Sequence, residues 1–108
     1  MENSPPVDPQ KLTVRDRLLL DSISVFRALD AHWLPVDDVL VELLKRSNWK
    51  NFGNGRGLTS HVIVRYLKDM EVSPGRQTWH DGKKRSGYRR DDLIACWDSW
   101  FGQGDENG

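Results

Sequence analysis

The spacing of apolar residues in the first third of the chain is helical. One face is formed by residues that are four, three and three positions apart: Leu19, Ile23, Phe26 and Leu29. Thr13, followed three positions later by Asp16, resembles an N-terminal capping arrangement. The pattern therefore predicts a first helix that begins after Thr13 and runs to about Ala31.

A second helix is predicted to follow a break at His32 to Pro35. Proline is tolerated in the first turn of a helix, and the carboxylates of Asp37 and Asp38 suit its positive end. The apolar stripe of this helix is Val36, Val39, Leu40, Leu43 and Leu44.

Segment 47–57, SNWKNFGNGRG, is rich in glycine and asparagine and is predicted to be a loop, with Trp49 and Phe52 packed against the core. Thr59 is a good N-cap for a third helix from about Ser60 to Met70. The apolar face of that helix is Ile63, Tyr66, Leu67 and Met70.

A β-hairpin is predicted after Ser73-Pro74-Gly75, which ends the third helix. Residues 76–80 and 86–89 have strand character, and Asp81-Gly82 is a strong turn signal between them. The tip of this hairpin would be basic, with Lys83, Lys84 and Arg85. Asp91 is expected to cap a last helix, whose inner stripe is Leu93, Ile94, Trp97, Trp100 and Phe101.

These elements predict one mainly α domain with a small β-hairpin. The order helix, helix, helix, hairpin, helix is that of a winged helix-turn-helix, in which the hairpin is the wing. The 108 residues suffice for one modest core. We expect the domain to span residues 13–102, between flexible tails at 1–12 and 103–108.

The formal net charge of zero conceals a strong asymmetry. Residues 45–90 carry twelve lysines and arginines against three acids, whereas residues 91–108 carry five acids and no lysine or arginine. The segment WHDGKKRSGYRR, residues 79–90, holds five of these cations and one carboxylate. A polyanion is the obvious partner for such a segment. The alternative is a solvated basic face without a ligand.

Other classes of function receive little support from the sequence. Cys96, the single cysteine, fits a reducing compartment, and the absence of a long apolar run or signal peptide predicts a cytoplasmic protein without a membrane partner. GNGRGLTS, residues 53–60, lacks the lysine of a phosphate-binding loop because Leu58 occupies its position. The histidines and Cys96 lack metal-site spacing. We expect neither an enzyme nor a cofactor.

Double-stranded DNA is the predicted partner. In a winged helix the third helix enters the major groove and the wing contacts the backbone or the minor groove. Bases and phosphates would be contacted by Arg56, Thr59, Ser60, His61, Val64, Arg65, Lys68, Arg76, Lys83, Lys84 and Arg85.

Other interpretations remain open for some of these residues. Arg65 could instead pair with Asp69 on the helix surface. Trp79 and Tyr88 could stack on bases, although aromatic residues of a hairpin near a core are more often buried. The alternative for the whole protein is an interaction module that docks on a host or replication protein through its acidic C-terminal part and an exposed tryptophan, Trp33 or Trp100.

From Gly57 onward the chain resembles a domain family of unknown function from phages, plasmids and prophages. The likeness spans about residues 13–101 and is sharpest in GLTSHVIVRYLKDMEVSPGRQTW and GKKRSGYRRDDLIACWDSWF. The matching positions are Trp49, Leu58-Thr59, Leu67-Lys68, Met70 to Val72, Arg76, Lys83 to Arg85, Gly87-Tyr88, Asp91-Asp92 and Trp97.

In that family the unit follows a primase- or helicase-type motor of a replication protein, and it is regarded as a winged-helix-like accessory module. The resemblance thus implies DNA binding in a bacterial cell, in a phage or mobile-element setting, with a regulatory or replication accessory role. This chain has no motor segment. We therefore expect either a free-standing small protein or a fragment of a longer one; this departure from the family counts against replicative activity but not against DNA binding.

Overall fold

A computed structural model describes residues 13–102; both predicted tails, 1–12 and 103–108, lie outside the described residues. The fold is mainly helical with one small antiparallel sheet. Its elements in chain order are α1 (Val14–Ala28), β1 (Trp33–Pro35), α2 (Val36–Leu43), α3 (Ser47–Lys50), α4 (Ser60–Asp69), β2 (Gly75–Thr78), β3 (Lys84–Arg89), α5 (Arg90–Trp97) and a π-helical segment (Asp98–Gly102).

The three helices predicted from apolar periodicity are present. The Thr13 hydroxyl accepts a hydrogen bond from the backbone N–H of Asp16 at 3.1 Å, so the predicted cap of α1 is confirmed. The helix ends at Ala28, about three residues earlier than predicted, and Asp30 takes a left-handed conformation with φ of 52°. Asp37 and Asp38 lie in the first turn of α2, as predicted.

The sheet contains one more strand than the predicted hairpin. Trp33 to Pro35, which the sequence marked only as a break, form β1. This strand pairs with the far end of β3, with Leu34 opposite Tyr88, and β2 pairs with the other side of β3. All pairs are antiparallel and the strand order is β1-β3-β2. The strand that lies between α1 and α2 in the sequence therefore adds to the hairpin and completes a three-stranded sheet.

The segment predicted to be a loop contains the short helix α3, which places Trp49 in the core. Trp49 is 2% exposed, and its indole N–H donates to Asp21 Oδ2 on α1 at 2.7 Å. Phe52 packs beside it, with ring centroids 5.7 Å apart. The prediction that both residues pack on the core is confirmed, although the backbone that carries them is partly helical.

The core lies between α1 and the three helices packed on it, α2, α4 and α5, with the sheet at one end. Leu18, Phe26, Leu43, Ile63, Leu67 and Leu93 have no exposed side-chain surface. Tyr88 of β3 is 2% exposed and joins the sheet to this cluster. The apolar stripes predicted for the first three helices thus meet in one core.

Two predictions about the last helix are wrong. Asp91 is not its cap: β3 continues directly into α5, which begins at Arg90, and the N–H of Arg90 donates to the His32 carbonyl at 2.8 Å. Trp100 is not on the inner face, because the chain changes to π-helical geometry at Asp98 and the spacing shifts. Its side chain is 49% exposed.

Candidate nucleic-acid interface

The start of α4, the start of α2 and the first half of β3 surround a groove of about 530 Å³. We call it the α4–wing groove, in which wing is only a name for the hairpin of β2 and β3, after the sequence prediction. It is lined by Ser60, His61 and Val64 of α4, by Lys84, Arg85 and Ser86 of β3, and by Pro35, Val36 and Asp37. Five residues predicted from sequence to contact DNA therefore come together, although 20 or more positions separate the two groups in the chain.

The N-terminal end of α4 forms part of the wall of the groove. The Thr59 hydroxyl accepts a hydrogen bond from the Val62 N–H at 3.3 Å, which confirms Thr59 as the helix cap. No acidic residue lies in the first turn of this helix. No carboxylate in that turn therefore offsets the partial positive charge at the start of α4, and a helix end of this kind favours a bound anion.

The exposed side of α4 continues away from the groove. His61, Arg65 and Lys68 are exposed, whereas Val64 is half-buried and packs against the core. Within residues 13–102 no ion pair joins Arg65 to Asp69. The Arg65 guanidinium therefore does not pair with Asp69, which was the alternative to DNA contact in the sequence analysis.

The hairpin differs from the predicted one in the extent of its strands. Lys84 and Arg85 are not at its tip but in β3, opposite Thr78 and Gln77, and only Lys83 lies in the turn. The turn is closed by a hydrogen bond from the Trp79 N–H to the Lys83 carbonyl at 2.9 Å. The cations thus lie along one strand and do not form a cluster at the tip.

Arg85 is held by an acidic partner within the hairpin. Its guanidinium lies 2.5 Å from Asp81 Oδ2, and Asp81 Oδ1 accepts a hydrogen bond from the Lys83 N–H at 3.1 Å. The hydrogen bond to Asp81 raises the pKa of Arg85, with smaller contributions from the charges of Asp37 and Asp38. The same hydrogen bond from Arg85 is the main reason why the pKa of the Asp81 carboxyl is lowered.

The remaining predicted contacts lie around the groove and do not line it. Arg56 is exposed in the loop before α4, where Gly53, Gly55 and Gly57 all have positive φ. Arg76 is exposed on β2 directly opposite Ser86, which itself lines the groove. Lys68 and Lys83 are exposed at the far end of α4 and in the wing turn.

Sequence reasoning missed the acidic side of this site. Asp37 was assigned only to the start of α2, yet it lines the groove together with the cations of β3. Asp81 was assigned only to a turn, yet it pairs with Arg85. The four-residue separation of Asp81 and Arg85 across a turn was the available signal for that pair.

Within residues 13–102, no three His, Cys, Asp or Glu side chains gather as metal ligands would. Each helix in this part of the chain is too short or too polar to cross a membrane.

Comparison with known proteins identifies a family but no characterised relative. No curated protein and no solved structure matches this chain. Residues 4–100 match the model of a family described as "protein of unknown function (DUF3631)". That match covers most of the 108 residues, including every element that lines the α4–wing groove. The chain therefore belongs to the DUF3631 family of proteins of unknown function.

Proposed function

We propose that this protein is a non-enzymatic winged-helix domain that binds duplex DNA through α4 and the hairpin β2–β3. Two features of the fold support this proposal. A helix, α4, immediately precedes the hairpin, and a strand from between the first two helices adds to that hairpin to give the order β1-β3-β2. In a winged helix these elements would be the recognition helix, the wing and the short strand that anchors the wing.

The observation that carries the proposal is the α4–wing groove. It brings the start of α4, with Ser60 and His61, beside Lys84 and Arg85 of the wing. A helix N-terminus and nearby cations are both suited to phosphate oxygens. Exposed side chains that continue along α4, Arg65 among them, would then reach base edges in the major groove.

Electrostatic attraction would supply most of the affinity in this arrangement. Sequence preference would come from Ser60, His61, Val64 and Arg65, because these residues lie on the part of α4 nearest the groove or exposed beside it. Asp37 and Asp81 oppose a polyanion at close range and would limit non-specific binding.

The test is a titration of labelled duplex DNA at several salt concentrations, followed by fluorescence anisotropy. Five phosphate contacts imply a log–log slope of about −4.5. Replacing Lys83 and Lys84 by glutamine removes two of them and should reduce the magnitude of the slope by about 1.8. A control with the same charge change, Arg27→Gln with Lys45→Gln, removes exposed cations that do not line the groove and should leave the slope unchanged. A wild-type slope near zero would overturn the proposal.

The biological setting is part of the same proposal. The resemblance noted in the sequence implies a phage, plasmid or prophage context, with a regulatory or replication accessory role in a bacterial cytoplasm. Binding that is mainly electrostatic and guided by a short recognition helix suits either role. Recovery of bound fragments from a digest of the DNA that flanks the gene would show whether a local operator or origin is preferred.

A second candidate function, docking on a host or replication protein, is favoured by Trp100. This side chain is 49% exposed and lines a cavity of about 340 Å³, which is also lined by Glu71 and Asp92. Large aromatic side chains are frequent anchors of protein interfaces. A pull-down from nuclease-treated lysate distinguishes the two functions, because a stoichiometric partner that survives high salt and is lost in Trp100→Ala supports docking.

A further inference from the structure

The outer side of the hairpin carries three aromatic rings in contact, which we call the aromatic face: Trp33, Trp79 and His80. The ring centroids of Trp33 and Trp79 are 5.2 Å apart, and those of Trp79 and His80 are 4.3 Å apart. Trp33 comes from β1 and the other two directly follow β2, so the face joins residues from the two strands that flank β3.

Packing against the hydrophobic core accounts for only part of the aromatic face. Trp79 touches the core from its edge, but Trp33 is half-buried and is not part of the core cluster. The Trp33 indole lies across Gly87 of β3, where a Cβ atom would come within 2.6 Å of Trp33 Cζ2. His80 is exposed at the end of the row. Trp33 and Trp79 are each half-buried, so this row of rings exposes part of its π surface to a planar ligand.

Positive charge accompanies these rings. Arg89 is exposed and lies directly opposite Trp33 in the β1–β3 register. The next residue, Arg90, places its guanidinium 3.2 Å from His32 Nδ1, beside the start of β1. Lys83, also exposed, follows the aromatic face in the hairpin turn. Rings flanked by cations match a chain of stacked bases joined by phosphates.

We propose that the aromatic face binds unpaired bases, so that the protein recognises a duplex that continues into a single strand. This inference rests on the proposed function, because the duplex part would occupy the α4–wing groove. The groove and the aromatic face share β3, since Lys84 to Ser86 line the groove and Gly87 lies beneath Trp33. A strand leaving the duplex would thus pass along the wing onto the rings. Stacking on aromatic side chains is tolerant of sequence because every base has a π surface.

The experiment compares a blunt duplex with the same duplex carrying a six-nucleotide thymidine tail, in both polarities, and with a thymidine oligonucleotide alone. We expect at least about tenfold tighter binding of one tailed duplex than of the blunt one, the gain that about one stacked base supplies. Trp33→Leu should abolish this preference and leave blunt-duplex affinity unchanged. Trp33→Phe, which retains a ring, should keep most of it. Trp100→Leu removes a more exposed tryptophan next to a different cavity and should retain the full preference.

The outcomes separate the two proposals. Equal affinity for tailed and blunt duplexes would overturn the present inference and leave duplex binding intact. A preference that survives in Trp33→Leu would also overturn it, provided that circular dichroism shows the variant folded. If no duplex binds, the proposed function fails and so does recognition of a tailed duplex. Binding of the oligonucleotide alone that Trp33→Leu abolishes would then support only the single-strand site, and absence of that binding would overturn the whole inference.

Discussion

Arg85 and Asp81 form an ion pair inside the hairpin, with the guanidinium 2.5 Å from Asp81 Oδ2. The same carboxylate accepts a backbone hydrogen bond from Lys83 through its other oxygen. Asp81 therefore both shapes the turn and neutralises one of the three adjacent cations of the wing. In the proposed complex, a phosphate would have to compete with this carboxylate for Arg85.

Replacing Asp81 by asparagine is expected to tighten duplex binding. Asparagine keeps the Oδ1 acceptor for the Lys83 N–H but removes the charge that holds Arg85. If Arg85 then contacts a phosphate, the magnitude of the log–log salt slope should rise by about 0.9. Anisotropy titrations of the wild type and Asp81→Asn at matched salt concentrations measure both effects.

The matched control for this variant is Glu71→Gln. It also removes one exposed carboxylate, but from the cavity at the other end of α4. A general effect of net charge would strengthen binding equally in both variants. Equal strengthening would therefore show that the Asp81–Arg85 pair does not restrain the wing.

The helices could be predicted from sequence because each depends on a stripe of neighbouring residues. The prediction for α4 placed the cap at Thr59 correctly and missed the end by one residue. β1 could not be found in this way. It has only three residues, and its hydrogen-bonding partners in β3 are more than 50 positions away, so no local pattern marks it. The helix α3 is a single turn inside a segment dominated by glycine and asparagine signals.

The sequence predicted which residues belong to the candidate site but not which of them contact one another. The sequence locates the cations of the hairpin, and the fold brings Lys84 and Arg85 to the same groove as Ser60 and His61. The ion pair of Arg85 depends on where the second strand of the hairpin begins, and β3 begins at Lys84, two residues before the predicted strand. The contact of Trp33 with Trp79 depends on β1 and was inaccessible for the same reason.

Asp21 is expected to contribute more to stability than other exposed or half-exposed acids. It accepts the Trp49 indole N–H at 2.7 Å and pairs with Arg46 at 3.3 Å, so one carboxylate fixes the segment after α2 to α1. Asp21→Ala should lower the free energy of unfolding by about 2 kcal/mol, since hydrogen bonds to charged groups contribute about 1.5–3 kcal/mol. Urea denaturation measures this loss.

The surface pair Glu42–Lys45, at 3.0 Å, provides the comparison for Asp21. Exposed ion pairs contribute about 0–1 kcal/mol, so Glu42→Ala should cost less than Asp21→Ala. Equal costs would mean that the Trp49 hydrogen bond adds nothing beyond a surface ion pair.

Tyr88 should make the protein less stable at high pH. Burial raises the pKa of its hydroxyl from the ordinary value of 10 to about 12, and no described residue accepts or donates a hydrogen bond at that oxygen. The unfolded chain therefore loses this proton first, and stability falls as pH rises from about 10 to about 12. Tyr88→Phe removes the ionisation, so unfolding midpoints of the variant should decline less over this interval. An unchanged pH dependence would assign the decline to other groups.

Gly87 is expected to be required for the pairing of β1 with β3, unlike its cross-strand neighbour Gly75. A Cβ atom at Gly87 would lie 2.2 Å from the Leu34 carbonyl oxygen and 2.6 Å from Trp33 Cζ2, whereas one at Gly75 meets nothing within 4 Å. Overpacking of this kind typically costs about 1–3 kcal/mol. Gly87→Ala should therefore lower the unfolding midpoint in urea, and Gly75→Ala should change stability by no more than about 0.5 kcal/mol. Equal effects of the two substitutions would mean that the close approach of β1 is not what demands glycine at position 87.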